Sequence, residues 1–233
     1  MSKIPLILVS GLLCDDALWA PQSEWLSDIA DISVGETQID DGFPEMAERI
    51  LEAAPPRFAL GGLSMGGYVC MEIMRQAPER IERLALFDTS GRADTADQMK
   101  RRKALIELAT IGKFKGITPR LLPLLIHKDR QTDENLTRRV IEMAGRVGQA
   151  GFLRQQTAIM HRPDRRAEMA MYDLPTIVVC GRQDALTPVD LHEEMAGLVP
   201  HARLCLIEEC GHLSTLEQSH AVTALMRDWL LRD

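Results

Sequence analysis

The sequence predicts an α/β fold, a doubly wound and mostly parallel sheet that carries an inserted helical cap. Three observations lead there. Five short apolar runs are nearly continuous rather than alternating, which is the pattern of strands covered on both faces. Helix-length patterns separate most of them, as in a parallel sheet with crossover helices. One long stretch, residues 92–172, breaks the alternation with helical patterns alone. At 233 residues the chain suits a single domain, 1–233, large enough to bury a substantial core.

The first strand is Leu6-Ile7-Leu8-Val9, followed by the loop Ser10-Gly11-Leu12-Leu13-Cys14. Helical spacing over 16–30 leads to a weaker strand at Ile32-Ser33-Val34, and a second helix covers 43–54. Phe58-Ala59-Leu60 then runs into Gly62-Leu63-Ser64-Met65-Gly66, and a helix leaves over 66–77. A serine between two glycines at a strand-to-helix turn is what a nucleophile needs. The turn is tight, side chains at Gly62 and Gly66 would crowd it, and the hydroxyl stands at the positive end of the helix. The plainer reading of Ser64 is a helix cap, where serine is favoured. The next strand is Leu84-Ala85-Leu86-Phe87, ending at Asp88.

The segment 92–172 follows, punctuated by Gly112, Gly116, Pro119, Pro123, Gly145 and Gly148. A connection of that length inside a compact domain is usually functional, and a lid over the sheet is the natural expectation. Thr176-Ile177-Val178-Val179-Cys180 resumes the sheet, with a loop holding Asp184 and a helix over 189–198. The last strand, Leu204-Cys205-Leu206-Ile207, opens onto Glu208-Glu209-Cys210-Gly211-His212-Leu213, and a helix over 219–231 closes the chain.

Composition narrows the function. The net charge of −7 argues against general nucleic-acid binding. No apolar run reaches membrane-spanning length, and Met1-Ser2-Lys3-Ile4-Pro5 shows no secretory leader, so neither membrane attachment nor export is expected. Cysteines 14, 70, 180, 205 and 210 are odd in number and lack zinc-ligand spacing. They read as reduced cytoplasmic thiols packed as small hydrophobes, including Cys14 and Cys210 beside the candidate site. No His/Asp/Glu grouping suggests a metal, and Gly61-Gly62 lacks the spacing of a dinucleotide fingerprint, so no cofactor is expected. Residues 92–172 hold 17 Lys and Arg against 9 Asp and Glu, a net of +8, while the remainder carries −15. Either solvated helix faces dock by attraction onto an acidic body, or a basic lid draws in an anionic small-molecule substrate through residues such as Arg154 and Arg162.

A serine hydroxyl is a poor nucleophile at neutral pH; it needs a base, and the base needs an orienting carboxylate. Asp184 and His212 each follow a different strand, so Ser64, Asp184 and His212 can converge at the carboxyl edge of the sheet. Asp184 could alternatively cap the helix near Pro188. His127, His161, His192, His201 and His220 lack comparable context and read as surface or lid residues, with His161 alone placed to approach a pocket. Trp19, Phe114, Phe152, Met143 and Met160 are candidates to line an apolar pocket or to pack in the core.

These parts, in this order, resemble the α/β-hydrolase superfamily over almost the whole chain. The specific features are the elbow at 62–66, Gly181 with Asp184 and Pro188, and Gly211-His212. The resemblance implies Ser64 as nucleophile, His212 as general base then acid, and Asp184 as orienting acid. Asp88 is the rival, because some members take the acid from that strand. It also implies an oxyanion hole of two backbone N–H groups, from Met65 and from the loop after the first strand. Matching the family's His-Gly-x pattern makes Leu12 the second donor, with Leu13 the alternative; Ser10 stands where histidine is usual. The implied activity is a cofactor-free serine hydrolase acting on a small-molecule carboxylic ester or lactone. A C–C bond hydrolase or lyase-like relative with the same triad, and a non-catalytic ligand-binding homologue, are the alternatives. A serine at the elbow disfavours the relatives that attack carbon with an aspartate.

Overall fold

The computed structural model describes residues 3–232; Met1 and Ser2, part of the start read above as leaderless, lie outside them. Six strands form one sheet: β1 (Ile4–Val9), β2 (Ala30–Gly35), β3 (Phe58–Leu63), β4 (Ile81–Phe87), β5 (Thr176–Gly181) and β6 (Arg203–Ile207). Their order is β2-β1-β3-β4-β5-β6, and every neighbouring pair is parallel. Successive side chains of a strand point to opposite faces. Leu6 and Leu8 of β1, Phe87 of β4 and Val179 of β5 therefore join one apolar cluster. Ile7, Val9, Leu60, Leu86 and Val178 join a second cluster.

Helices α1 (Ala20–Trp25), α2 (Phe43–Ala53) and α3 (Met65–Gln76) lie between the first strands. The first of these is shorter than the spacing over 16–30 predicts. A 3-10 turn over Asp16–Trp19 precedes it, and Pro21 sits in its first turn, where a missing N–H costs nothing. Conversely, β3 extends three residues beyond its apolar run, because Gly62 pairs with Val9 and Leu63 with Phe87. Local propensity disfavours glycine in a strand; pairing on both sides overrides it.

Between β4 and β5 the chain forms α4 (Ala96–Leu108), α5 (Leu122–Leu125), α6 (Glu134–Met160) and α7 (Arg166–Met169). Thr95 and Gln98 close a reciprocal capping box on α4, which buries none of its residues. Asp133 caps α6, which breaks at Gly148. Ion pairs tie this segment to the body: Arg165 to Glu72, Arg146 to Asp15, and both Arg92 and Arg166 to Glu194. The remaining helices are α8 (Val189–Leu198), α9 (Ser214–Glu217) and α10 (Ser219–Leu231). Helices α2, α3 and α8 contribute to the second cluster, α10 to the first, and α6 to both, through Leu136 to Phe152 in the first and Ala158 and Ile159 in the second. No helix among the described residues is long and apolar enough to cross a membrane.

Candidate active site

In a parallel sheet the loops at the carboxyl ends of the strands open onto one edge. The turns after β1, β3, β4, β5 and β6 meet there. Ser64 joins β3 to α3 with φ 56° and ψ −115°, a left-handed conformation that a non-glycine residue holds only when its surroundings impose it. Three hydrogen bonds do so. The Ser64 N–H donates to the Phe87 carbonyl at 2.9 Å, and the Ser64 carbonyl accepts from the Gly67 N–H at 2.9 Å and the Thr89 hydroxyl at 2.7 Å. A Cβ at Gly62 would overlap the Gly66 carbonyl and lie 2.6 Å from Cys70 Sγ; one at Gly66 would overlap the Val9 carbonyl. Both glycines of the motif are thus required by close approach of backbone to backbone.

His212 Nε2 lies 2.9 Å from Ser64 Oγ, and its Nδ1 lies 2.8 Å from Asp184 Oδ2. Asp184 is held in turn by its own loop. Its Oδ1 accepts the N–H groups of Leu186 at 2.8 Å and Thr187 at 3.0 Å, and its Oδ2 accepts the Thr187 hydroxyl at 2.6 Å. Burial pushes the Asp184 carboxyl up, but the adjoining His212 and the hydrogen bonds outweigh burial and hold it below its ordinary value. Burial likewise opposes a charged His212, yet the Asp184 carboxylate and its hydrogen bond raise the imidazole above the ordinary histidine value. The His212 loop is braced by buried Glu217, whose carboxylate accepts the N–H groups of His127, Gly211 and Leu213.

Asp88, also at a strand end, makes no hydrogen bond to His212 among the described residues. Its Oδ1 accepts the Gly181 N–H at 2.9 Å, and its Oδ2 accepts the N–H and hydroxyl of Ser214. It therefore ties the end of β4 to the loops that carry Asp184 and His212. Burial and the Asp184 charge push its carboxyl up.

The loop after β1 packs on the elbow: a Cβ at Gly11 would lie 3.4 Å from Ser64 Cβ. Ser10, in the place of the usual histidine, donates its hydroxyl to the Asp15 carbonyl at 2.8 Å. The Leu13 N–H is taken by Gln155 Oε1 at 3.0 Å, and the Cys14 N–H by the Gly11 carbonyl at 3.1 Å. The Leu12 N–H has no acceptor among the described residues. Met65 opens α3, so its N–H has no partner within the helix. Of the two loop candidates, Leu13 is already committed and Leu12 is free.

Several side chains lie elsewhere than the sequence suggests. His192, read as a surface or lid residue, is completely buried: its Nε2 accepts the Thr89 N–H at 3.0 Å, and burial lowers its pKa to about 4. His127 is buried as well, whereas His161 is exposed with Nδ1 against the Thr157 carbonyl at 2.9 Å. Arg162 is buried, paired with Asp94 at 2.6 Å and stacked over Tyr68, and Arg154 donates to the Gln38 carbonyl at 3.2 Å. Trp19 packs edge-on to Phe87, Phe114 lies against Phe152, and Met143 is fully buried in the core; Met160 is partly buried. Cys14, Cys70, Cys180 and Cys210 are buried and Cys205 partly so; burial pushes the Cys14 thiol up to about 12. Donor atoms of Asp88, Cys180 and His192 lie within 4.8 Å of one another. Both Asp88 oxygens already accept protein hydrogen bonds, and His192 Nε2 accepts the Thr89 N–H, so the group does not present a free ligand set.

Thr187, Thr89 and Gln155 escaped the sequence reading. Thr187 follows Asp184 by three residues, the spacing of a side chain-capped turn, and that signal is legible. Thr89 and Gln155 leave none, because they act across the fold.

The model of the family described as alpha/beta hydrolase fold matches residues 21–219. A pimeloyl-[acyl-carrier protein] methyl ester esterase of Nitrosomonas europaea is 28% identical over 179 residues, covering 74% of this chain and 71% of its own. A thermophilic esterase from Thermogutta terrifontis superposes with a TM-score of 0.88 at 26% identity, over 98% of this chain and 90% of its own. An enol-lactonase from Burkholderia xenovorans LB400 has the same fold, with a TM-score of 0.87 at 22% identity over 99% and 92% of the two chains.

Proposed function

Since the chain belongs to the alpha/beta hydrolase fold family, we propose that it is a serine hydrolase that opens a small-molecule carboxylic ester or lactone through an acyl-enzyme on Ser64. The observation that carries this reading is the unbroken relay from Ser64 Oγ to His212 Nε2 at 2.9 Å and from His212 Nδ1 to Asp184 at 2.8 Å. The 28% identical relative is named as an ester hydrolase, which supports the ester class.

Ser64 Oγ bonds to the carbonyl carbon while His212 Nε2 takes its proton. The carbonyl π pair moves to oxygen, and the N–H groups of Met65 and Leu12 receive the oxyanion. Asp184 stays ionised, holds the imidazole in the tautomer that presents Nε2, and stabilises the imidazolium. Collapse breaks the C–O bond of the leaving alkoxide, which takes the proton from His212. Water then attacks the acyl carbon and gives a proton to the same nitrogen; collapse breaks the bond from the acyl carbon to Ser64 Oγ, which takes that proton back from His212 as the acid leaves.

A panel of esters, thioesters and lactones with Ser64→Ala as control tests the reading. Wild-type protein should turn over p-nitrophenyl acetate, and a fluorophosphonate should label Ser64 stoichiometrically. Ser64→Ala should lose at least about a thousandfold in kcat. A label on another residue, or turnover that survives Ser64→Ala, would overturn it.

A further inference from the structure

Helix α6 belongs to the inserted segment, yet it reaches the loop after β1 at two points. Gln155 is fully buried, with Oε1 accepting the Leu13 N–H at 3.0 Å and Nε2 directed to the Thr37 carbonyl at 3.4 Å. Arg146 makes a bidentate pair with Asp15, at 2.5 and 3.1 Å. Asp15 is also the acceptor that closes the loop onto Ser10. Leu13, between these contacts, has φ 60°, so the loop adopts a conformation that its own residues disfavour.

Arg146 and Gln155 are nine positions apart in sequence. In a straight α-helix that separation turns the side chains by about 180°, onto opposite faces. They reach the same loop because α6 breaks between them. Gly148 has φ 65° and ψ −174°, a region open essentially to glycine alone.

We propose that Arg146 and Gln155, aligned by the break at Gly148, are positioning residues that lock the oxyanion loop and thereby aim the Leu12 N–H. The proposal rests on the hydrolase reading, since only a developing oxyanion gives that N–H a partner. By holding the Leu13 N–H, Gln155 leaves Leu12 as the loop's donor. The oxyanion hole is then complete only while the inserted helix is docked.

The test uses the full-length protein, p-nitrophenyl acetate, and phenylboronic acid as a tetrahedral analogue that bonds to Ser64 Oγ. Gln155→Met should lower kcat by about 10- to 100-fold, leave KM within about threefold, and weaken the boronate in parallel with kcat. Loss of folded protein alone would lower apparent kcat without moving the boronate inhibition constant. Gly148→Ala should behave like Gln155→Met. If Gln155→Met does not fold, the half-exposed Arg146→Ala decides, with a boronate affinity about three- to tenfold weaker. Wild-type kcat and boronate affinity in folded Gln155→Met, or in Arg146→Ala should that variant be needed, would overturn the clamp while leaving the hydrolase reading intact. A wild-type protein that neither turns over nor binds the boronate at Ser64 would remove both.

Discussion

Asp88 and Asp184 follow adjacent strands, yet only Asp184 hydrogen-bonds His212. Asp184→Asn removes the acceptor that fixes the imidazole tautomer, and kcat should fall about 10⁴-fold with the fold retained. Asp88→Asn keeps that acceptor and loses bracing instead, so its loss in kcat should stay below about tenfold while its melting temperature drops. Steady-state kinetics and thermal melts on both variants decide, and the reverse order of kcat losses would contradict the assignment. The pH profile offers a second check. In the proposed mechanism His212 is a base only when neutral, so activity should rise with pH as it deprotonates. The Asp184 carboxylate raises that pKa, and the acid limb of kcat/KM should fall above about 6.5, the ordinary histidine value. A limb below about 6 would contradict the ion pair. In linkage terms the His212 contribution to stability is full below the unfolded histidine pKa and is lost as pH rises through the folded value.

At the scale of elements, strands were the most legible, because a strand covered on both faces must be apolar throughout. Gly62 and Leu63 lengthen β3 for a reason outside their own chemistry, namely pairing with Val9 and Phe87. The inserted segment was legible as helical but not in its breaks. Gly145 and Gly148 look alike in sequence, yet only Gly148 interrupts α6, and what distinguishes them is docking on the loop after β1. The connection from α4 to α5 is exposed around Gly112. Ile111 is 65% exposed, and Gly112 and Gly116 have positive φ beside Lys113 and Lys115. Limited trypsinolysis should cut first at Lys113 or Lys115 and leave the sheet intact, as read by mass spectrometry. First cuts within β3 to β4 would contradict this description.

For the whole molecule, the opposite charges of residues 92–172 and of the remainder correspond to ion pairs that join them, such as Arg165–Glu72 and Arg146–Asp15. By itself the sequence determined the α/β class, the order of the strands along the chain and the elbow around Ser64. Each of these is written in local periodicity or in glycines at fixed offsets. It also put Asp184 and His212 on loops that follow strands. The tertiary structure alone decided that His212 meets Asp184 rather than Asp88, that the Leu13 N–H is occupied and the Leu12 N–H free, and that His192 is buried. Those outcomes depend on strand neighbours and on a helix about 140 residues away from the loop it holds. Contacts between segments so distant leave no period in the chain that makes them.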